Sequence, residues 1–422
     1  MQRATTTSKP ESAEPRWLAP AWAGLLAAVV LAVYLPALSY GLIWDDPRWY
    51  GQSAGKPAWQ FFTGLASYQF YRPLSLWLNQ QFIRPDGTIA ASAAHAAQLA
   101  AHLAAVLFSA PALRALGVTA WPARLAALLF AASPFAIQAA AWQAPQGPWV
   151  ISLTLAAVLA ADQFQRGRGR AWLGVSLTAY AAALLFQESA LPFVFLFFWL
   201  ALEGPPWRLR RRWPWLHAAL AAGYLLIWLN VPRLGGVTGS GFDLTVLAYL
   251  LQGAAYPLAR LGAPWLAGWP AGILAAGFAL LILALLLGAW RAGQGRAALL
   301  AGLWLAAGFA PVWVGLAWAY VEVGERLLYP AALGIALLWA NCVAWPRGGR
   351  LLGAAALALA LGAAGFHLRD MRQLYAAGTR HLQAAESALA GAAPPGTGAA
   401  RLLFVNFPDR FELRPRALRA QR

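Results

Sequence analysis

Charge is what this 422-residue chain has least of: only 11% of its residues are Asp, Glu, Lys or Arg. Soluble domains carry about 25%, so one soluble domain, or a pair of them, is excluded. Disorder is excluded too, because 60% of the residues are hydrophobic and the mean hydropathy is +0.54. The single cysteine, Cys342, lies inside an apolar run, which leaves no intrachain disulfide and no cysteine-pair metal motif. Acids number 15 against 32 basic residues, and Lys9 and Lys56 are the only lysines. Heptads, phosphate-loop glycine patterns and a visible inverted repeat are all missing, the last counting against a secondary transporter.

What is present is a succession of apolar runs close to the length a bilayer of about 30 Å demands. They fall at about 17–38, 92–113, 121–141, 148–162, 171–186, 189–203, 214–230, 270–290, 297–318, 327–345 and 351–366. This predicts an all-α polytopic membrane protein with about eleven transmembrane helices. An outer-membrane barrel would need alternating polar and apolar positions, which the runs lack. The first run exceeds the 7–15 residues of a signal-peptide core, so it is expected to stay as a span although Ala37-Leu38-Ser39 resembles a cleavage site. Many of the 23 tryptophans flank the runs (Trp17, Trp121, Trp142, Trp207, Trp213, Trp269 and Trp345), the pattern of an interfacial aromatic belt.

The arginines sit mostly in short loops, where they report topology rather than a nucleic-acid partner. Loops 114–124, 166–170 and 208–212 share one side if residues 1–16 are cytoplasmic. The opposite side then receives the first external loop, 39–91, the 142–148 turn, Gln187-Glu188 and 231–243. Taking Leu244–Leu261 as an interfacial or re-entrant helix keeps 291–296 and 347–350 cytoplasmic and puts Glu322–Arg326 outside. On this reading 17–366 is the membrane domain and 367–422 an extracytoplasmic tail. Within the tail, Leu402–Asp409 reads like one strand and a turn, expected to dock on the membrane part or on a partner.

Few acids make each one informative. Asp45 and Asp46 open an external loop of about 50 residues, and loops of that length are usually functional. Adjacent carboxylates at a membrane face serve as a general base or share a divalent cation, and equally well cap a helix end. The same loop carries Tyr71 and Arg72; a guanidinium suits a lipid phosphate, or it pairs with Asp45 or Asp46. His95 and His102 lie seven apart on one helix face, open to the same cavity or to a buried hydrogen-bonded role. Gln187-Glu188 and Glu325-Arg326 each place a carboxylate at a span end, as a site residue or as half of an ion pair.

The order Trp44-Asp-Asp46, Tyr71-Arg-Pro-Leu74, His95 and His102, Phe186-Gln-Glu-Ser189, then Glu325-Arg-Leu-Leu-Tyr329 resembles the GT-C glycosyltransferases. In particular it is similar to the bacterial relatives of protein O-mannosyltransferases and of the lipid A aminoarabinose transferase, over residues 17 to about 345. The resemblance implies a bacterial inner-membrane transferase that moves a sugar from a polyprenyl-phosphate donor to an acceptor hydroxyl outside the cytoplasm. It implies Asp45 or Asp46 as base, Arg72 and Arg326 on the donor phosphate, and Tyr71, His95, His102, Gln187, Glu188 and Glu325 around the cavity. The acceptor stays open among protein, lipid and cell-wall glycan; membrane lipids are partners and nucleic acid is not. No cofactor is expected, with a divalent cation at Asp45/Asp46 as the variant of that reading. Gln187 stands where the family often has a lysine and Gln146 where a polar or basic residue is common, which leaves an altered donor or an inactive scaffold paralogue open. A lipid or solute transporter is the alternative from another class.

Overall fold

The computed structural model describes residues 18–42, 46–63, 70–142, 146–203, 212–231, 242–256, 268–321, 324–342 and scattered positions between 351 and 380. Asp45, Glu322 and Leu402–Asp409 lie outside the described residues. Helix is the rule, and the one β pairing among the described residues is an isolated Ile83–Ile89 bridge. In lipid every backbone polar group must be satisfied within the chain, and a helix does this segment by segment.

The sixteen α-helices among the described residues run in this order. First come α1 (Leu18–Tyr34), α2 (Asp46–Ser53), α3 (Ala58–Phe62) and α4 (Pro73–Gln80). They are followed by α5 (Ala91–Ala115), α6 (Ala120–Ala131), α7 (Pro134–Ala141), α8 (Gly147–Gln165) and α9 (Ala171–Phe186). Next are α10 (Phe195–Glu203), α11 (Pro214–Asn230), α12 (Leu244–Ala254) and α13 (Ala271–Ala289). The last are α14 (Gly295–Gly315), α15 (Trp318–Val321) and α16 (Tyr329–Cys342). Among the described residues, every apolar run from 17–38 through 327–345 is mostly helix.

Span length is where the structure departs from a row of eleven equal helices. Among the described residues, four stretches are long and apolar enough to cross alone: Leu18–Ser39, Ala91–Ala115, Gly147–Gln165 and Ala271–Gly315. The last holds 45 residues, about 67 Å of helix and more than two hydrocarbon thicknesses. It breaks at Gly293, whose φ of 80° only glycine adopts cheaply, so α13 and α14 are separate passes. The α6–α7 pair, bent by 54°, is long and apolar enough only when taken together, as a broken span or a re-entrant loop. Pro134 causes that bend: it has no N–H to donate, and it disfavours helical geometry at Ser133. Other helices are shorter, and α12, with 11 residues, covers about 16 Å, half a bilayer.

The most enclosed element among the described residues is α16. All fourteen of its residues are buried, so it is the axis of the bundle rather than a lipid-facing wall. Close approach is secured by small residues, as expected where apolar burial gives helices no net drive to associate. A Cβ on Gly308 of α14 would stand 2.7 Å from the Ala331 backbone of α16. A Cβ on Gly334 would stand 2.9 Å from Trp304, whose indole N–H donates to the Pro330 carbonyl at 2.9 Å. Gly308→Ala is therefore expected to cost about 1–3 kcal/mol through overpacking; thermal unfolding in detergent reads it, and an unchanged midpoint would contradict the contact.

The two ends of the bundle are chemically unlike. At one end Trp199 donates to the Leu116 carbonyl at 2.9 Å and Gln165 to Leu200 at 3.0 Å. The Arg296 guanidinium lies 5.8 Å from the Trp199 ring, and Arg166 pairs with Asp162 at 2.7 Å. The segments that carry Leu116, Gln165 and Arg296 are thus all joined to α10 at one end. At the other end of α8, Gly147 meets Tyr329, which directly follows the turn that bears Arg326.

Candidate active site

Arg72 is set by local backbone chemistry. It precedes Pro73, which opens α4 with a fixed φ and no N–H to satisfy, and Arg72 itself takes φ −136° and ψ 65°. Tyr224 of α11 donates its hydroxyl to the Tyr71 carbonyl at 3.0 Å, and the Tyr71 hydroxyl donates to Phe62 at 3.0 Å. Burial pushes the Tyr71 phenol up, so it stays a neutral donor.

Glu188 reaches Arg72 because α9 stops. Gln187 is extended (φ −164°, ψ 141°), and the chain then forms a 3-10 turn, Glu188–Val194. Tyr180, two turns earlier in α9, holds that turn by donating to the Ala190 and Leu191 carbonyls at 3.3 and 3.2 Å. The Glu188 carboxylate then accepts from Arg72 Nε at 3.0 Å and from Nη2 at 2.5 Å, a bidentate pair. The two side chains are 10% and 19% exposed. Burial alone would pull the guanidinium down, but Glu188 outweighs it and Arg72 ends above its ordinary value. The sequence offers Asp45 or Asp46 as the carboxylate for Arg72; the structure pairs it with Glu188 instead, which the end of α9 brings to it. Three of its five N–H donors remain uncommitted by this pair.

Arg326 is held differently. It lies in the 3-10 turn Glu325–Leu328 that leads into α16. Its guanidinium stands 4.3 Å from the Trp142 ring and 5.3 Å from the Tyr320 ring. Among the described residues no carboxylate lies within 4 Å of it. Aromatic faces attract the cation while leaving its N–H edges available. Tyr320 and Tyr224 are also electrostatic neighbours of Arg72, so two cations, one neutralised and one not, flank the same phenol. Tyr249, which packs edge-on against Trp318, feels both Glu325 and Arg326.

Trp142 is not a belt residue. It is 3% exposed and packs on Arg326, and Trp213, also 3% exposed, packs on His217 inside the bundle. Trp121 and Trp269, at 57% and 48%, do face outward as a belt requires. Trp142 follows a proline-broken helix directly, and that break was the available sign that its ring turns inward.

The remaining candidates are placed as follows. Asp46 is the first residue of α2, 1% exposed. Burial, then its charge, push the nearby Tyr50 phenol up. His95 and His102 share one face of α5 and are both fully buried. His95 sits edge-on to Tyr40, with ring centres 6.3 Å apart. His102 Nδ1 shares a 2.8 Å hydrogen bond with the Tyr329 hydroxyl, packed among Tyr34 and Phe130. Among the described residues no three His, Cys, Asp or Glu side chains converge as metal ligands. Tyr320, Tyr224 and Gln138 join the site without any sequence signal of their own.

No protein-family model matches the chain, and no curated protein matches it significantly. Solved structures do. The chain is similar to ArnT from Cupriavidus metallidurans in the apo state at 18% identity and TM-score 0.46, over 76% of this chain and 60% of that one. Against ArnT bound to undecaprenyl phosphate the identity is 15% and the TM-score 0.40, over 89% and 81%. Arabinofuranosyltransferase AftD from mycobacteria gives 15% and 0.40, over 85% of this chain and 27% of that one.

Proposed function

We propose that the chain is a membrane glycosyltransferase of GT-C type, which takes a sugar from a polyprenyl-phosphate donor and passes it to an extracytoplasmic hydroxyl. One observation carries the reading: a guanidinium without a carboxylate within 4 Å among the described residues, set between Trp142 and Tyr320 at one end of an apolar bundle. Such a group suits a phosphate monoester or diester at the membrane surface. Arg72 adds donors beside the same phenol, and the loop that brings Arg72 also brings Asp45 and Asp46.

The reaction balances without a redox partner. Asp45 or Asp46 takes the proton of the acceptor hydroxyl, and the oxygen attacks the anomeric carbon. The bond from that carbon to the phosphate oxygen breaks, its electron pair leaves with the lipid phosphate, and Arg326 meets the developing charge. A single displacement of this kind inverts the anomeric configuration.

Purified protein incubated with labelled polyprenyl-phosphate sugars is expected to release or transfer label. Arg326→Ala should lower kcat/KM about 10²–10³-fold, as removal of a charge-stabilising donor does. Folded protein that neither binds nor turns over any common donor would sink the reading in favour of transport or scaffolding.

A further inference from the structure

The turn that bears Arg326 begins with an unmet need. The first N–H groups of a helical turn have no acceptor inside it, and a capping side chain normally supplies one. Here the capping position is Gly324, which has no side chain to offer, and Leu327 already uses the Gly324 carbonyl at 2.9 Å. The Arg326 backbone N–H finds its acceptor elsewhere: Gln138 Oε1 of α7, 2.8 Å away and 188 residues earlier in the chain.

Gln138 sits on a rigid platform. It is 7% exposed, and its own carbonyl accepts from the Trp142 backbone N–H at 3.2 Å. Gln98 of α5 donates to the next carbonyl, Ala139, at 2.7 Å. One short helix therefore grips Arg326 twice, by backbone through Gln138 and by guanidinium through Trp142. The far end of the turn is fixed as well, since Tyr329 is bonded to His102 and packed against Gly147. The 54° bend at Pro134 is what lets α7 leave the line of α6.

We infer that Gln138 is a positioning residue: it caps the Arg326 turn from another helix and so holds the guanidinium where the donor phosphate lands. This rests on the reading of Arg326 as the phosphate group's partner. Preorganisation of this kind shows as affinity for the charged headgroup and leaves the apolar tail's contribution alone.

The test titrates undecaprenyl phosphate, and undecaprenol as a phosphate-free control, into purified parent, Gln138→Met, Gln138→Glu and Arg326→Ala proteins. Gln138→Met keeps the volume and removes the acceptor; it is expected to weaken undecaprenyl phosphate binding about five- to tenfold with undecaprenol unchanged. Gln138→Glu keeps an acceptor oxygen but sets a carboxylate beside the Arg326 turn, where it competes with the phosphate, so it should weaken undecaprenyl phosphate binding at least as much as Gln138→Met, with undecaprenol again unchanged. Parental affinity in Gln138→Met, alongside lost affinity in Arg326→Ala, overturns the positioning role and leaves the phosphate reading standing. A matching loss of undecaprenol in Gln138→Met marks a packing role and overturns it too. Parental affinity in Arg326→Ala overturns both. If Gln138→Met does not fold, Gln138→Asn, which withdraws the oxygen by one methylene, is read the same way.

Discussion

Asp45→Asn or Asp46→Asn is expected to lower turnover of a polyprenyl-phosphate sugar about 10²–10⁴-fold, in one variant and not in both. A single displacement needs one base, and Asn keeps the shape of Asp while losing the proton acceptor. Asp46 is the buried first residue of α2, where the helix dipole favours a carboxylate. Its neighbour Tyr50 is held neutral and protonated by burial and by that charge. Labelled transfer at saturating donor separates the cases, because the base acts in the chemical step and not on the lipid tail. Full turnover in both variants would remove the carboxylate pair from the chemistry and with it the mechanism above.

The second large effect concerns stability. Arg72→Met leaves the half-buried Glu188 without its partner, and breaking a fully buried pair costs about 3–5 kcal/mol. The lower end is expected, because the Glu188 side chain keeps 19% exposure and water screens part of the loss. Arg72→Met/Glu188→Met should recover most of that cost, since apolar replacement of both partners is often neutral. Turnover should not recover with it, because the donors that face the phenol of Tyr320 are gone. Unfolding midpoints in detergent measure the first half and labelled transfer the second. A double variant as unstable as the single one would show that the ion pair is not what Arg72 contributes.

Several residues of the candidate site stand out in the sequence because charge is so scarce in this chain. A carboxylate or guanidinium at a span end stands out against an apolar background, which is how Arg72, Glu188 and Arg326 were reached. Their partners were not legible. Arg72 and Glu188 are 116 residues apart, and equal chemical sense attached to Asp45 or Asp46. His102 was open between cavity and core, and a hydrogen bond to Tyr329, 227 residues away, places it in the core.

What the sequence determined by itself is the class: apolar length and sparse charge compel helices in a membrane, because each segment must satisfy its own backbone in lipid. That is a local requirement, so local composition carries it. Tertiary structure alone decided which helix lies at the centre, since every described residue of α16 is buried by its neighbours. It decided as well that Trp142 turns inward to Arg326 and that Gln138 caps a turn from another helix. Those choices depend on which surfaces meet in space, and a proline bend at 134 or a glycine at 308 sets that meeting from positions far along the chain.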